Sequence, residues 1–323
     1  MNPRPTPVTP FPVEVPYRVR ADLTLLTPDT DAEPHQGQPL PRGATDDVAL
    51  HAKHAALQTH PQRVRVPDPQ RDPHDVARTL AATLPTLARY RPDVLQASIK
   101  ATDRTFTDAE WRHWEFLQLD DEANDLLATQ PAPTRIADAL ALSLPEDFAW
   151  MRDDGREGSA DLLHVTFPSH WAPETRAGAS LLALHQPVAD GDALRNASRN
   201  LMRAITRKGP FRRYVWSLNP TPNLDRHPAT TPPAGTGARH PIDDTWFRVE
   251  RQTTLPFPDQ AVALFTIRIL ATPLHDVLTA KPGRAATLAA AIRSMSAELR
   301  RYKGLHDAEA LLEALDTFDP PSS

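Results

Sequence analysis

Proline limits this chain more than any other residue: 35 of its 323 positions are proline, against 11 glycines. Proline locks φ and lacks an N–H, so it is excluded from helix interiors and central strands. The regular elements must therefore fit between prolines as short pieces joined by stiff loops. Six prolines fall in residues 1–16, which read as a flexible proline-rich arm. Residues 27–44, polar and rich in Pro and Gly, read as loop.

Between the prolines the apolar spacing alternates between two periods. A short strand is expected at Tyr17–Arg20 or Leu23–Leu26. Helical spacing begins at Asp46, with Thr45 or Asp46 as cap, and runs through Val48, Leu50 and Leu57. Further helices are expected from Pro73 with a kink at Pro85, from Asp108 to Leu117, and over Ile136–Leu142. The period then becomes strand-like at Phe148–Arg152, Leu162–Phe167, Arg213–Leu218, Thr245–Thr254 and Ala261–Leu270. Asp153-Asp154-Gly155 marks a hairpin, and Pro256-Phe257-Pro258-Asp259 a turn. Helices are expected at Pro173–Leu184, Asp192–Thr206 and Arg284–Tyr302. About five largely antiparallel strands with flanking helices and a helical N-terminal region (45–142) make an α+β fold, read as one domain over 17–318 with its core at 145–275.

The absence of cysteine decides which chemistry is open. It removes all-cysteine iron–sulfur clusters and thiolate haem, covalent haem attachment, sulfur-ligated zinc and cysteine nucleophiles. The net charge of −5 argues against nucleic acid as the partner. The one dense basic run, Arg207-Lys208-Gly209-Pro210-Phe211-Arg212-Arg213, reads as a solvated or carboxylate-pairing face. No 18-residue apolar run offers a membrane span, and the N-terminus lacks a signal core, so a cytoplasmic protein is expected. Nucleotide-binding glycine loops, a nucleophile elbow and H-E-x-x-H are all missing.

Two constellations remain. His185 is expected at the C-terminal end of a helix stopped by Pro187, as a cap or as a metal ligand. In Arg248-Val249-Glu250-Arg251-Gln252-Thr253, alternation places Arg248, Glu250 and Gln252 on one face. That face is either a solvated edge or a polar pocket wall, and Glu250 is positioned to pair across the ladder with Arg268. His51 and His54 lie three apart on a helix, and His164 and His170 bracket Pro168. All four read as structural.

Taken together, Pro145-Glu146-Asp147, Pro168-Ser169-His170-Trp171, Leu184-His185-Gln186-Pro187-Val188, Arg213-Tyr214-Val215-Trp216, Glu250-Arg251-Gln252-Thr253, Leu264-Phe265-Thr266-Ile267-Arg268 and Tyr302-Lys303-Gly304-Leu305 resemble the haem-dependent oxidative N-demethylase family, alpha-subunit-like branch, from about residue 11 to 315. The resemblance implies a PAS-like sheet holding a b-type haem (heme b). It implies oxidation of a small secondary methylamine by O₂, with release of formaldehyde. Electrons would come from a separate flavin and iron–sulfur reductase, and a folate-binding partner would accept the formaldehyde. It implies His185 as axial ligand, with His164 and His170 in reserve. Arg213, Trp216, Arg251 and Arg268 become cofactor-binding residues, and Glu250 the carboxylate for the amine. Tyr214 and Trp216 are pocket walls or core aromatics. Arg176, Ala189 and the proline-rich Thr253-Thr254-Leu255-Pro256-Phe257-Pro258 depart from the family pattern. The competing functional reading is a haem-binding PAS-like sensor without turnover, and a third is a haem-free structural relative.

Overall fold

The computed structural model describes residues 9–26, 40, 46–98, 105–107, 113–185, 198–231, 241–305 and 308–319. Along the chain, β1 (Thr24–Leu25) precedes α1 (Asp46–Thr59), α2 (Pro61–Val64), β2 (Arg65–Pro67), α3 (Pro73–Ala81) and α4 (Leu84–Tyr90). Then come β3 (Leu95–Ser98), β4 (Thr105–Thr107), β5 (His113–Phe116), α5 (Asp121–Thr129), α6 (Arg135–Ser143), β6 (Asp147–Arg152) and β7 (Ser159–His164). The second half holds α7 (Leu181–His185), α8 (Ser198–Arg207), β8 (Phe211–Asn219), β9 (Trp246–Phe257) and β10 (Val262–Pro273). It closes with α9 (Leu274–Thr279), α10 (Arg284–Ser294), α11 (Ala297–Tyr302) and α12 (Glu309–Asp316).

The fold is α+β. The main sheet is antiparallel with strand order β1-β8-β9-β10-β6-β7-β2, so it has seven strands rather than five. The two additional strands, of two and three residues, form its edges. β1 lies within the short strand expected at Leu23–Leu26, whereas β2, with no period of its own, becomes a strand by pairing with β7. A second sheet, β3-β5-β4, takes the place of the helix expected at 108–117. Trp114 and Phe116 are buried there at a period of two, beside half-buried His113 and Glu115. Residues 108–112 lie outside the described residues.

Local punctuation breaks several expected helices. At Pro85 the chain does not kink: α3 ends at Ala81, and Pro85 sits in the first turn of α4, where its missing N–H costs nothing. Asp72 caps α3 through His74 N (2.9 Å). The helix expected at Pro173–Leu184 is a 3₁₀ turn (Pro173–Arg176) and then α7. Gly178 between them stands at φ +65°, and a Cβ there would lie 2.6 Å from Asp68 Oδ1. The expected C-terminal helix is divided because Ser296 leaves the helical conformation and accepts from Leu299 N at 3.0 Å, starting α11. Strand β9 continues through Pro256 to Phe257, and the turn is made by Pro258–Gln260 with Ala261 at φ +52°.

The sheet register defines two faces. Face B carries Phe148 and Trp150 of β6, Leu264, Thr266 and Arg268 of β10, and the odd-numbered positions from Phe247 to Leu255 of β9. It also carries Tyr214 and Trp216 of β8. Helices α1–α6 cover one end of it, around Phe148, Trp150, Leu255 and Leu264. Helices α9–α12 cover the other, around Trp216, Phe247 and Val249. Face A carries Arg213, Val215, Arg248, Glu250, Gln252, Phe265 and Ile267. Its cover is lighter: α7, α8 and Trp171 pack through Leu181, Leu184, Met202 and Ile205 onto Ala149, Met151, Ala263 and Phe265.

Candidate functional site

At the middle of β9 and β10, face A is less deeply buried than face B. In β9, Phe247, Val249, Arg251, Thr253 and Leu255 are buried, whereas Glu250, Gln252 and Pro256 are only half-buried. In β10, Phe265 and Ile267 are half-buried between buried Leu264, Thr266 and Arg268. Arg213 and Val215 continue this strip onto β8. A central sheet surface of apolar side chains with a few convergent polar groups has the composition of a ligand site.

Glu250 lies in this strip. Ser169 Oγ donates to Glu250 Oε1 at 2.5 Å, and Gln252 Nε2 donates to Oε2 at 2.9 Å. The hydrogen bonds to Glu250 among the described residues thus come from neutral groups. Arg248 stands two residues away, 2% exposed, and burial pushes its guanidinium down, with Glu250 and Asp147 opposing. Burial also pushes Arg213 down, again opposed by Glu250. Arg213 Nε is buried with no hydrogen-bond partner among the described residues. The Lys303 ammonium is pushed down by burial to about 8, with Glu250 opposing.

The expected pairing of Glu250 with Arg268 does not form. The register sets Glu250 opposite Ile269 and Val215, and Arg268 opposite Arg251, on face B. A one-residue offset in a ladder changes the face of every side chain. Arg268 pairs instead with Asp46 of α1, and its Nη1 is 3.9 Å from Glu146 Oε1. Glu146 is 1% exposed and neither of its oxygens accepts a hydrogen bond among the described residues. Burial pushes Arg251 down, opposed by Tyr214 and Glu146, and its Nη1 donates to Thr253 Oγ1 at 3.1 Å. Beside them Lys53 donates to Leu144 O (3.0 Å) and Glu146 O, with Asp147 Oδ1 at 3.5 Å. Burial pushes Lys53 down and Asp147 up, each opposed by the other's charge. This buried charged band separates the two apolar clusters of face B.

Trp216 also faces B. Its ring stacks on Phe247 (5.9 Å) and meets Tyr17 edge-on (5.6 Å), with Lys303 Nζ at 5.0 Å. Of the sequence-derived candidates, the structure therefore brings Glu250 and Arg213 to one face and Trp216, Arg251 and Arg268 to the other.

The histidines separate as well. His164, on β7, is fully buried against the helical cover of face B, stacked on Phe148 (5.3 Å), with Nε2 3.2 Å from Asp138 Oδ1. Burial pushes it down, partly offset by Asp138. His51 hydrogen-bonds Asp47 O at 2.7 Å. His170, on the face A side, holds φ +64° and places Nε2 3.4 Å from Asn219 Oδ1. Burial, then Arg226, pushes His170 down. His185 ends α7; its side chain, and residues 186–197 with Pro187 and Ala189, lie outside the described residues. Among the described residues no group of three or more His, Asp or Glu side chains is arranged to hold a metal ion. No helix among them is long and apolar enough to cross a membrane.

One part of the site, and one cleft away from it, were not legible in the sequence. Ser169 reaches Glu250 from 81 residues away, across the fold. A polar cleft of about 700 Å³, lined by Asp68, Arg71, Glu157, Gly158, Ser180 and Arg199 among others, opens beside the β6–β7 hairpin, away from the Glu250 strip. Its walls come from four separate segments of mixed charge, so no local motif announces it.

The half-buried strip on face A joins apolar side chains of β8 and β10 to the charged Arg213 and Glu250. Comparison with protein families aligns residues 49–312, most of the chain, with the family described as "Haem-dependent oxidative N-demethylase, alpha subunit-like". The chain belongs to that family.

Proposed function

We propose that this protein is the haem-binding, alpha-type subunit of an oxidative N-demethylase, with a b-type haem and a small alkylamine sharing the half-buried strip of face A in a PAS-like core. The observation that carries this reading is the half-buried Glu250 at the middle of the sheet, held by two neutral donors. A protonated amine entering a partly desolvated site needs a counter-charge, and Glu250 supplies one.

The residues of face A fit the cofactor. Val215, Phe265 and Ile267 supply half-buried apolar side chains on either side of Glu250 and Gln252, and Arg213 Nε, without a hydrogen-bond partner among the described residues, fits a propionate. His185, carried on the short helix over this face, is the proposed axial ligand, supported by the family match across the stretch that contains it. His164 is committed to Asp138 under the opposite face, which leaves His170 as the reserve. Haem, when bound, supplies the oxygen chemistry. The chain's own residues bind and orient: Glu250 accepts the N–H groups of the ammonium ion, and the apolar side chains beside it limit water around it. Formaldehyde and a demethylated amine are the products, O₂ is the oxidant, and a separate flavin and iron–sulfur reductase supplies electrons to this cysteine-free chain. A folate-binding partner is the proposed acceptor of the formaldehyde. The protein acts in the cytoplasm.

The test is to express the protein with iron and a haem precursor. A Soret band at about one haem per chain is expected, lost in His185→Ala and kept in His51→Ala. With reductase and O₂, a small N-methylamine should yield formaldehyde. Glu250→Gln should keep haem and weaken amine binding by about 1.5–3 kcal/mol, the range for a hydrogen bond to a charged group. A colourless protein that takes up no added hemin would refute the haem reading. A haem-loaded protein with no turnover of any methylamine would leave a sensor.

A further inference from the structure

Glu250 is oriented by a device that reaches it through Ser169. Arg248 Nε donates to Ser169 Oγ at 3.2 Å, and Ser169 Oγ donates to Glu250 Oε1 at 2.5 Å. The rest of the Arg248 guanidinium is taken up by backbone: Nη1 donates to Leu224 O (2.9 Å) and Nη2 to Phe167 O (3.0 Å). These carbonyls belong to two segments that are also tied directly, by Arg226 N to Pro168 O and His170 N to Arg226 O, each 3.1 Å. His170 takes a left-handed conformation (φ +64°) immediately after the serine. A histidine in that region is held there by its surroundings.

We infer that Ser169, set by buried Arg248, is a positioning residue that aims the Glu250 carboxylate, and that it makes the site discriminate ammonium ions carrying N–H groups from those that carry none. The inference rests on the amine reading above. Its reasoning is a count of protons and lone pairs. A serine hydroxyl has one proton and two acceptor lone pairs. With the Arg248 N–H directed into one lone pair, the hydroxyl proton is left for Glu250. Gln252 occupies the other carboxylate oxygen at 2.9 Å. With one donor on each oxygen, the half-buried Glu250 carboxylate is held in orientation and keeps lone-pair capacity for a further donor. A fixed lone pair rewards an N–H donor placed along it. A carboxylate free to rotate offers charge alone, which a tetramethylammonium ion feels as well as a dimethylammonium ion does. Discrimination by directed hydrogen bonds exceeds what charge or methyl count provides.

The experiment compares wild type with Ser169→Ala and Ser169→Thr. Isothermal titration of the purified protein with dimethylammonium chloride and with tetramethylammonium chloride reads the discrimination. The carboxylate stretching band of Glu250, assigned by its loss in Glu250→Gln, reads the orientation in unliganded protein. Ser169→Ala should move that band and raise the dimethylammonium Kd about tenfold, the scale of one lost charge-assisted hydrogen bond. Its tetramethylammonium affinity should stay at the wild-type value, and Ser169→Thr, which keeps the hydroxyl, should restore both readouts. Unchanged dimethylammonium affinity in Ser169→Ala, or an unmoved Glu250 band, would overturn the inference. Equal loss for both cations would overturn it too, since that reports lost charge or lost folding rather than lost aim. If wild type binds neither cation, the amine reading fails and the claimed discrimination with it, while the infrared comparison still judges whether Ser169 aims Glu250.

Discussion

Face B of the central sheet sets Arg251 and Arg268 directly opposite each other, roofs them with helices and surrounds them with Glu146, Asp46 and Tyr214. Face A, on the same three strands, carries Arg213, Glu250 and Gln252 in a half-buried strip, with neutral donors on the carboxylate. Both faces carry charge; they differ in what the charge answers to. On face B Arg268 pairs with Asp46 and Arg251 donates to Thr253, contacts that fix helices on sheet, although Arg268 Nη1 makes no hydrogen bond among the described residues. On face A Arg213 Nε has no hydrogen-bond partner among the described residues, and Glu250 is half-buried with two neutral donors. Buried polar groups are nearly always satisfied in native proteins; among the described residues unmet ones occur under both faces, the Glu146 oxygens and Arg268 Nη1 under face B and Arg213 Nε on face A, and Arg213 stands in a half-buried strip.

The largest test of this contrast is a pair of truncations. Phe247→Ala removes a fully buried ring that stacks on both Phe11 and Trp216 on face B, and should lower unfolding free energy by about 3–5 kcal/mol in a denaturant titration. Val215→Ala, on the half-buried strip of face A, should lose well under half of that (at most about 1.5 kcal/mol). Comparable losses at the two positions would erase the distinction between a closely packed and a less deeply buried face.

Next in size is a pH effect. Burial pushes His164 below its ordinary value of 6.5. A histidine held neutral in the folded state binds its proton more readily when unfolded. Its contribution is therefore complete above about pH 6.5 and is lost as pH falls below it, at up to about 1.4 kcal/mol per pH unit. In His164→Gln, which keeps a donor for Asp138, this share of the acid sensitivity should vanish. Identical pH slopes for variant and wild type between pH 7 and pH 5 would show that His164 is not held neutral under the helical roof.

The smallest expected effect on stability is also the most telling for function. Arg213→Gln removes a guanidinium whose Nε has no hydrogen-bond partner among the described residues, and should change the stability of the cofactor-free protein by no more than about 0.5 kcal/mol in either direction. The same variant should retain haem poorly after gel filtration. A marked loss of stability with normal haem retention would make Arg213 a structural residue, and face A would resemble face B.

How much of this was legible in sequence depended on range. The strand period found β6, β8, β9 and β10 to within a few residues, because runs of strand-forming residues bounded by turn residues are a local signal, although burial alternates only along parts of β9 and β10. It misread residues 113–117, where a strand of four residues was too short to outweigh a helical spacing of the neighbouring apolar positions. The face shared by Arg248, Glu250 and Gln252 followed from alternation alone. Their partners did not: neither the setting of Arg268 against Arg251 nor the approach of Ser169 to Glu250 is written in any short window.

What the sequence determined by itself was the set of chemistries and the local elements. Absence of cysteine, proline punctuation and residue period are properties of composition and near neighbours, and they hold whatever the rest of the chain does. Only the tertiary structure decided which face of the sheet is roofed, and so which of two similar sets of charged residues is structural and which is available. Pairing register and helix cover depend on contacts between residues scores to hundreds of positions apart, such as Asp46 with Arg268 and Ser169 with Glu250. The free energy of those contacts belongs to the assembled fold, and no single segment carries it.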